Sequence, residues 1–166
     1  LQGISEFFHP LDMVGEWNRL YGPRGMLQYQ IVVPSGEEST LREVVERLAT
    51  GGAASFLTVL KRFGPGDSGH LSFPIPGWTL TLDVPTGVKG LGSLLDGLDR
   101  RIVEVGGRVY LAKDSRVSPS LIPQMYPRLD EWRAICDRVD PDRRWQSDLS
   151  RRLGLRGPVG SPTSSQ

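Results

Sequence analysis

Four runs along the chain alternate in period two, and two longer stretches repeat apolar residues at helical spacing. Over residues 26–33, Leu27, Tyr29, Ile31 and Val33 point one way and Gln28, Gln30 and Val32 the other, as in a half-buried strand. Pro34-Ser35-Gly36 ends it. Leu41, Val44, Val45 and Leu48 then make one buried stripe of a helix. Ser35 with Glu38, or Thr40 with Glu43, has the spacing of a capping box, and Gly51-Gly52 closes the element. Residues 55–63 form a second strand, with Phe56, Thr58, Leu60 and Arg62 on one face and Leu57, Val59, Lys61 and Phe63 on the other. A Gly- and Pro-rich loop over 64–77 leads to a third strand at 78–84, where Trp78, Leu80 and Leu82 alternate with Thr79, Thr81 and Asp83. A second helix over 90–105 carries Leu91, Leu94, Leu95, Leu98, Ile102 and Val105. Gly106-Gly107 stops it, and a last strand is expected over 107–112, with Lys113 at its end.

The order β-α-β-β-α-β predicts an α+β fold of the ferredoxin-like kind, an antiparallel sheet with both helices on one face. Beyond Ser118 the pattern turns helical, with Pro119 suited to a first turn and Leu121, Met125, Leu129, Trp132, Ile135 and Val139 as apolar contacts. Trp145, Leu149 and Leu153 suit a final short helix. Residues 1–25 read as an irregular segment rich in large apolar groups, with a short helix expected over 12–21, and 157–166 as a Gly/Ser/Pro-rich disordered tail. His9 there reads as structural or exposed, since no metal-ligand spacing accompanies it.

The helices cover one sheet face, so the other needs a partner. Its residues are Gln28, Gln30, Leu57, Val59, Lys61, Thr79 and Thr81. A solvated face would be dominated by Glu and Lys; this mixture of amides, hydroxyls, an amine and aliphatics reads as the wall of a ligand pocket. Composition then narrows the class. The 166 residues are 38% hydrophobic and 23% charged with a net charge of +1, which suits one globular domain and gives no strong field for nucleic acid. An RNA-recognition domain shares the topology but needs stacking aromatics on that face, whereas Tyr29 and Trp78 are expected to face the helices. Cys136 is the sole cysteine, so no intrachain disulfide forms. No apolar run approaches the ~18 residues of a membrane span. No metal cluster, Walker loop, GxGxxG or nucleophile elbow is present. The chain starts at Leu1 rather than Met, which reads as a fragment or processed product.

Several motifs are long enough to compare with a family: Pro10-Leu11-Asp12-Met13, Trp17-Asn18-Arg19, Gln28-Tyr29-Gln30, Phe73-Pro74-Ile75-Pro76-Gly77-Trp78, Leu98-Asp99-Arg100-Arg101, Ala112-Lys113-Asp114-Ser115-Arg116 and Met125-Tyr126-Pro127-Arg128. Together they resemble the C-terminal half of the decaprenylphosphoryl-ribose 2′-oxidase family. Those are FAD-linked oxidoreductases of the vanillyl-alcohol-oxidase and aldonolactone-oxidase superfamily. The resemblance implies that residues 26–156 are a substrate domain capping a flavin, and that 1–25 join it to an FAD domain absent from this chain. It implies substrate contacts for Gln28, Gln30, Lys61, Leu57, Val59, Thr79 and Thr81, flavin contacts for Tyr110 and Lys113, and a catalytic part for Lys113. Thr79 and Thr81 fall where close relatives carry Asn and Cys. The substrate implied is a polyprenyl-phosphate-linked ribose, a cell-wall arabinan precursor, oxidised at its 2-hydroxyl. The implied partners are the FAD domain, the sugar lipid, an NAD-dependent reductase and a peripheral membrane surface, with a cytoplasmic or inner-membrane location. Arg133, Arg138, Arg143, Arg144, Arg151, Arg152 and Arg156 make the C-terminal end basic; they read as a solvated face partly balanced by Asp137, Asp140, Asp142 and Asp148, with contact to an anionic membrane surface as the alternative. The alternatives are a D-arabinono-1,4-lactone-oxidase-like sugar oxidase, and a ferredoxin-like binding module without redox chemistry.

Overall fold

The computed structural model describes residues 21–157 together with Gly3, Ile4, Gly15, Glu16 and Arg19. The helix expected over 12–21, the aromatic residues of the first twenty and His9 therefore lie largely or wholly outside the described residues, as does the tail from 158 onward.

The sheet has four antiparallel strands in the order β2-β3-β1-β4. They are β1 (Met26–Pro34), β2 (Thr58–Phe63), β3 (Gly77–Pro85) and β4 (Arg108–Val109). Helix α1 (Glu38–Thr50) links β1 to β2, and α2 (Leu91–Glu104) links β3 to β4. This is the split arrangement expected from the sequence. Tyr29, Ile31 and Val33 of β1 and Leu80, Leu82 and Val84 of β3 form the helix-side face of the core. Against them pack Leu41, Val44 and Leu48 of α1 and Leu91, Leu95, Leu98 and Ile102 of α2, all buried. Each such side chain removed from water contributes roughly 1.5–3 kcal/mol.

Three local expectations are corrected. Neither capping box forms: α1 has no side-chain cap, and the Glu38 carboxylate instead accepts from Gly36 N–H (3.3 Å) and Trp78 Nε1–H (3.0 Å). β2 begins at Thr58 rather than at 55: the Asp83 N–H is shared between Leu57 O (3.2 Å) and the Ser55 hydroxyl (2.9 Å), and the Ser55 side chain folds onto its own backbone at Leu57 O instead of extending the ladder. The closing strand is two residues long rather than six. Tyr110 N–H still donates to Gln30 O (2.9 Å), but the chain then winds into a 3₁₀ turn, Leu111–Lys113. The turn is closed by Lys113 N–H to Tyr110 O (3.1 Å) and Asp114 N–H to Leu111 O (3.3 Å), and just beyond it Asp114 Oδ1 accepts from Arg116 N–H (3.0 Å) and Val117 N–H (2.8 Å), so these N–H groups are spent locally rather than on the sheet.

The C-terminal elements are a 3₁₀ turn (Pro119–Leu121), α3 (Ile122–Met125), α4 (Leu129–Val139) and α5 (Asp148–Leu153). They close the β4 end of the core through Ile122, Met125, Tyr126, Leu129 and Leu153, and the buried Tyr126 hydroxyl donates to Val109 O (2.7 Å). Two apolar contacts expected of α4 are not made: Ile135 and Val139 are exposed, as is Trp145. Among the described residues, all of the seven arginines at this end but Arg138 form ion pairs, with Asp130, Asp137, Asp142, Asp148, Asp114 and Asp140 as their partners.

Candidate functional site

The strand register puts the expected pocket residues in rows across the face opposite the helices. Lys61 pairs with Thr79 and Thr79 with Val32; Val59 pairs with Thr81 and Thr81 with Gln30; Gln28 pairs with Asp83. Alternation then sends all of these side chains to one side. Part of that side is covered by the chain itself. Phe73, from the loop over 64–76, is buried between Phe63 (5.9 Å between ring centroids) and Tyr110 (4.7 Å). Arg108 fastens the loop by donating to Ser72 O.

The uncovered part is a hollow of about 150 Å³ lined by Gln28, Gln30, Leu57, Val59, Lys61, Thr81, Asp83 and Lys113. Seven of the nine residues implied by the family resemblance therefore meet in one concavity. The other two stand behind or beside it. Thr79 is 1% exposed beneath the wall, where its hydroxyl accepts from Gln30 Nε2 (3.1 Å). Tyr110 is held in the Phe73 stack.

Asp83 is the lining residue that sequence reasoning passed over. It is 4% exposed and accepts from Tyr21 Oη–H at Oδ2 (3.1 Å) and from Gln28 Nε2 at Oδ1 (3.0 Å). Its parity with Thr79 and Thr81 was the available signal. The carboxylate and burial push the Tyr21 phenol upward, burial being the larger cause. Among the described residues, no acidic group lies within ion-pair distance of Lys61 or Lys113, and no basic group within that distance of Asp83. The hollow thus holds two ammonium groups and one carboxylate that are not spent on each other.

Lys113 is the last residue of its 3₁₀ turn, and the turn is held from two directions. Asp114, with its side chain 2% exposed, binds Arg152 of α5 (2.6 Å). Arg116 reaches Asp99 of α2 (2.7 Å) and also Asp96, and Asp99 accepts from the buried Tyr29 hydroxyl (2.7 Å). Burial holds the Asp99 carboxyl above the usual carboxylate range; Arg116 and the Tyr29 hydrogen bond offset this in part. Lys113 is therefore presented by a stiff support rather than by a free loop, as a group with a positional task requires.

Two larger hollows offer less chemistry. One of about 450 Å³ lies among the C-terminal helices, lined by Trp132, Val139, Trp145, Leu155 and Arg156, whose guanidinium is tied to Asp137 (3.0 Å) and Asp140 (3.1 Å). Another, of about 220 Å³, lies under the 64–76 loop.

No family model matches the chain. It is 49% identical over 155 residues, 93% of its length, to a Mycolicibacterium smegmatis protein described as decaprenylphosphoryl-beta-D-ribose oxidase. It is also 49% identical over 131 residues, 79% of its length, to a Streptomyces coelicolor protein described as an uncharacterized protein in the mprA 5′ region. The chain spans about a third of each relative, 34% and 36% respectively. Over nearly its whole length, the chain is thus similar to about one third of a decaprenylphosphoryl-beta-D-ribose oxidase.

Proposed function

We propose that this chain is the substrate-binding part of an FAD-dependent oxidoreductase that oxidises the 2-hydroxyl of a polyprenyl-phosphate-linked ribose, a step toward cell-wall arabinan. The observation that carries the reading is the open-face hollow, where Lys61 and Lys113, neither with a carboxylate partner among the described residues, meet two glutamine amides and an apolar edge. The 49% identity to an oxidase of that description supports it.

Oxidation of a secondary alcohol removes a hydride from carbon and a proton from oxygen. A flavin would supply the two-electron acceptor, held mainly by a domain outside this chain. The residues here fit such a group in one respect: Lys113 is a half-buried cation without a carboxylate partner among the described residues, next to an aromatic cluster. In a water-poor site a fixed ammonium stabilises negative charge that develops during the reaction. Lys61 suits a phosphate, and Gln28 and Gln30 suit sugar hydroxyls. Leu57 and Val59 give the hollow an apolar edge. A lipid-linked substrate also calls for contact with a bilayer surface at the inner membrane; an external electron acceptor would take the two electrons from the reduced flavin, and a partnering NAD-dependent reductase would donate hydride to the keto product.

The test is stopped-flow flavin reduction in the enzyme with its FAD domain present. Lys113→Ala is expected to slow reduction about 100-fold, on the order of 3 kcal/mol, while FAD retention changes little. Lys113→Gln, which keeps a donor without charge, should fall between. Lys61→Ala should mainly raise KM. Near wild-type reduction in Lys113→Ala would refute the assignment.

A further inference from the structure

We propose that Asp83 sets the hydrogen-bonding polarity of the pocket wall, turning the Gln28 amide so that the sheet offers acceptors to a ligand and the lysines offer the donors. An amide side chain presents an oxygen at one end and an NH₂ at the other, and nothing in glutamine itself decides which end faces outward. A carboxylate is different, because when ionised it only accepts. Gln28 and Asp83 stand directly opposite on β1 and β3, and Nε2 of Gln28 lies 3.0 Å from Oδ1 of Asp83. Reversing the amide would set oxygen against oxygen beside a carboxylate that is 4% exposed.

The carboxylate cannot swing away to relieve that clash, since its Oδ2 is taken by the Tyr21 hydroxyl (3.1 Å) and the backbone N–H of Asp83 is held by Ser55. The end of Gln28 left over is Oε1, to which no described residue donates. Gln30 repeats the arrangement two residues on, with Nε2 given to Thr79 beneath the wall (3.1 Å). The wall therefore carries two amide oxygens, while Lys61 and Lys113 supply positive charge. The ligand class that matches is a hydroxyl-bearing sugar with an anionic group. This rests on the sugar-oxidase reading for the ligand, but not for the geometry of the wall.

The test uses the full 166-residue chain and the near-isosteric Asp83→Asn, in which either amide orientation finds a partner. Nitrogen-15 NMR of the Gln28 side chain reads the geometry without any ligand. Its NH₂ protons are expected to exchange with solvent about tenfold more slowly in the parent chain than in Asp83→Asn; equal rates would overturn the proposal. Titration with β-D-ribose 1-phosphate and with inorganic phosphate reads the consequence. Removing a negative charge beside two lysines strengthens phosphate binding, so a purely electrostatic part for Asp83 would strengthen both ligands by the same factor, which would overturn the proposal. The expected result is a split: phosphate binds more tightly while the preference for ribose 1-phosphate over phosphate falls about tenfold. Gln28→Leu should lower the same preference with phosphate affinity unchanged. If the parent chain binds neither probe while its Gln28 protons remain protected, the wall polarity stands and the sugar reading fails.

Discussion

Substituting Gly106 and Gly107 one at a time separates two reasons for which a glycine can be required. The pair closes α2 and delivers the chain to β4. Gly106 has φ +75° and its N–H donates to Val103 O (2.9 Å); Gly107 N–H donates to Ile102 O (2.8 Å). These two bonds are the Schellman pattern. A Cβ on Gly106 would meet only Pro34 Cγ, at 3.8 Å, so Gly106→Ala costs the left-handed conformation alone, about 1 kcal/mol. Gly107 has no such conformational demand, but a Cβ there would lie 2.5 Å from Val32 O, 2.8 Å from Ile102 Cγ2 and 2.9 Å from Ile102 O. Two of those atoms are backbone, and they cannot yield by a rotamer change. Relief requires β4 to move off β1 by a good part of an ångström, which weakens its ladder and the Ile102 bond together. Overpacking plus one lost hydrogen bond comes to about 2–4 kcal/mol. For a chain of this size 1 kcal/mol shifts Tm by about 2–4 °C, so Gly106→Ala should melt about 3 °C lower and Gly107→Ala about 10 °C lower. Circular-dichroism melts and urea titrations with unchanged m-values measure both. If Gly107→Ala proves as stable as Gly106→Ala, the close approach of β4 to β1 and α2 is not what holds Gly107.

Other consequences follow from the support behind Lys113 and from the buried phenols. Arg152→Met should lower stability by about 2–3 kcal/mol, because it strands the nearly buried Asp114 carboxylate with only its two backbone donors; a urea titration showing a loss under about 0.5 kcal/mol would contradict this. Burial, reinforced by Asp99, raises the Tyr29 phenol well above its ordinary value, and burial raises Tyr126 likewise, with Arg108 opposing. A raised folded-state pKa means the folded chain holds its proton when the unfolded chain has lost it. Stability is therefore expected to be intact below about pH 10 and to fall as pH rises above it, with Tyr29→Phe and Tyr126→Phe each making the fall shallower in denaturant titrations across that range. Purified chain titrated with FAD should show no stoichiometric quenching of flavin fluorescence, since the residues proposed to meet the flavin come from one wall only. With six of the seven C-terminal arginines already paired to aspartates, co-sedimentation should favour anionic over neutral vesicles only weakly; strong charge-selective binding would mean that these pairs open at a surface.

Period-two alternation over 26–33 and 78–84 and helical spacing over 41–48 and 91–105 were sufficient to order the elements and to sort Gln28, Gln30, Lys61, Thr79 and Thr81 onto one face. Those features are local: a side chain's direction along a strand or helix follows from its position in the repeat. The end of the sheet was not legible. Residues 108–112 alternate as a strand would, yet Asp114 draws two backbone N–H groups to its side chain, and the strand stops at Val109. The sequence contains Asp114, but not the information that Arg152, far along the chain, is there to hold its other oxygen.

The candidate site divides in the same way. The sequence by itself determined which side chains share the open face and that glutamine amides, lysines and aliphatics make up that face. Only the tertiary structure decided that Phe73 folds back to cover one part of it, that Thr79 lies beneath the wall rather than in it, and that Asp83 belongs to it. The physical reason is range. Alternation is imposed by backbone geometry within a few residues, whereas the setting of Asp83 and the orientations of Gln28 and Gln30 depend on Tyr21, Ser55 and Thr79, brought together from separate segments of the chain.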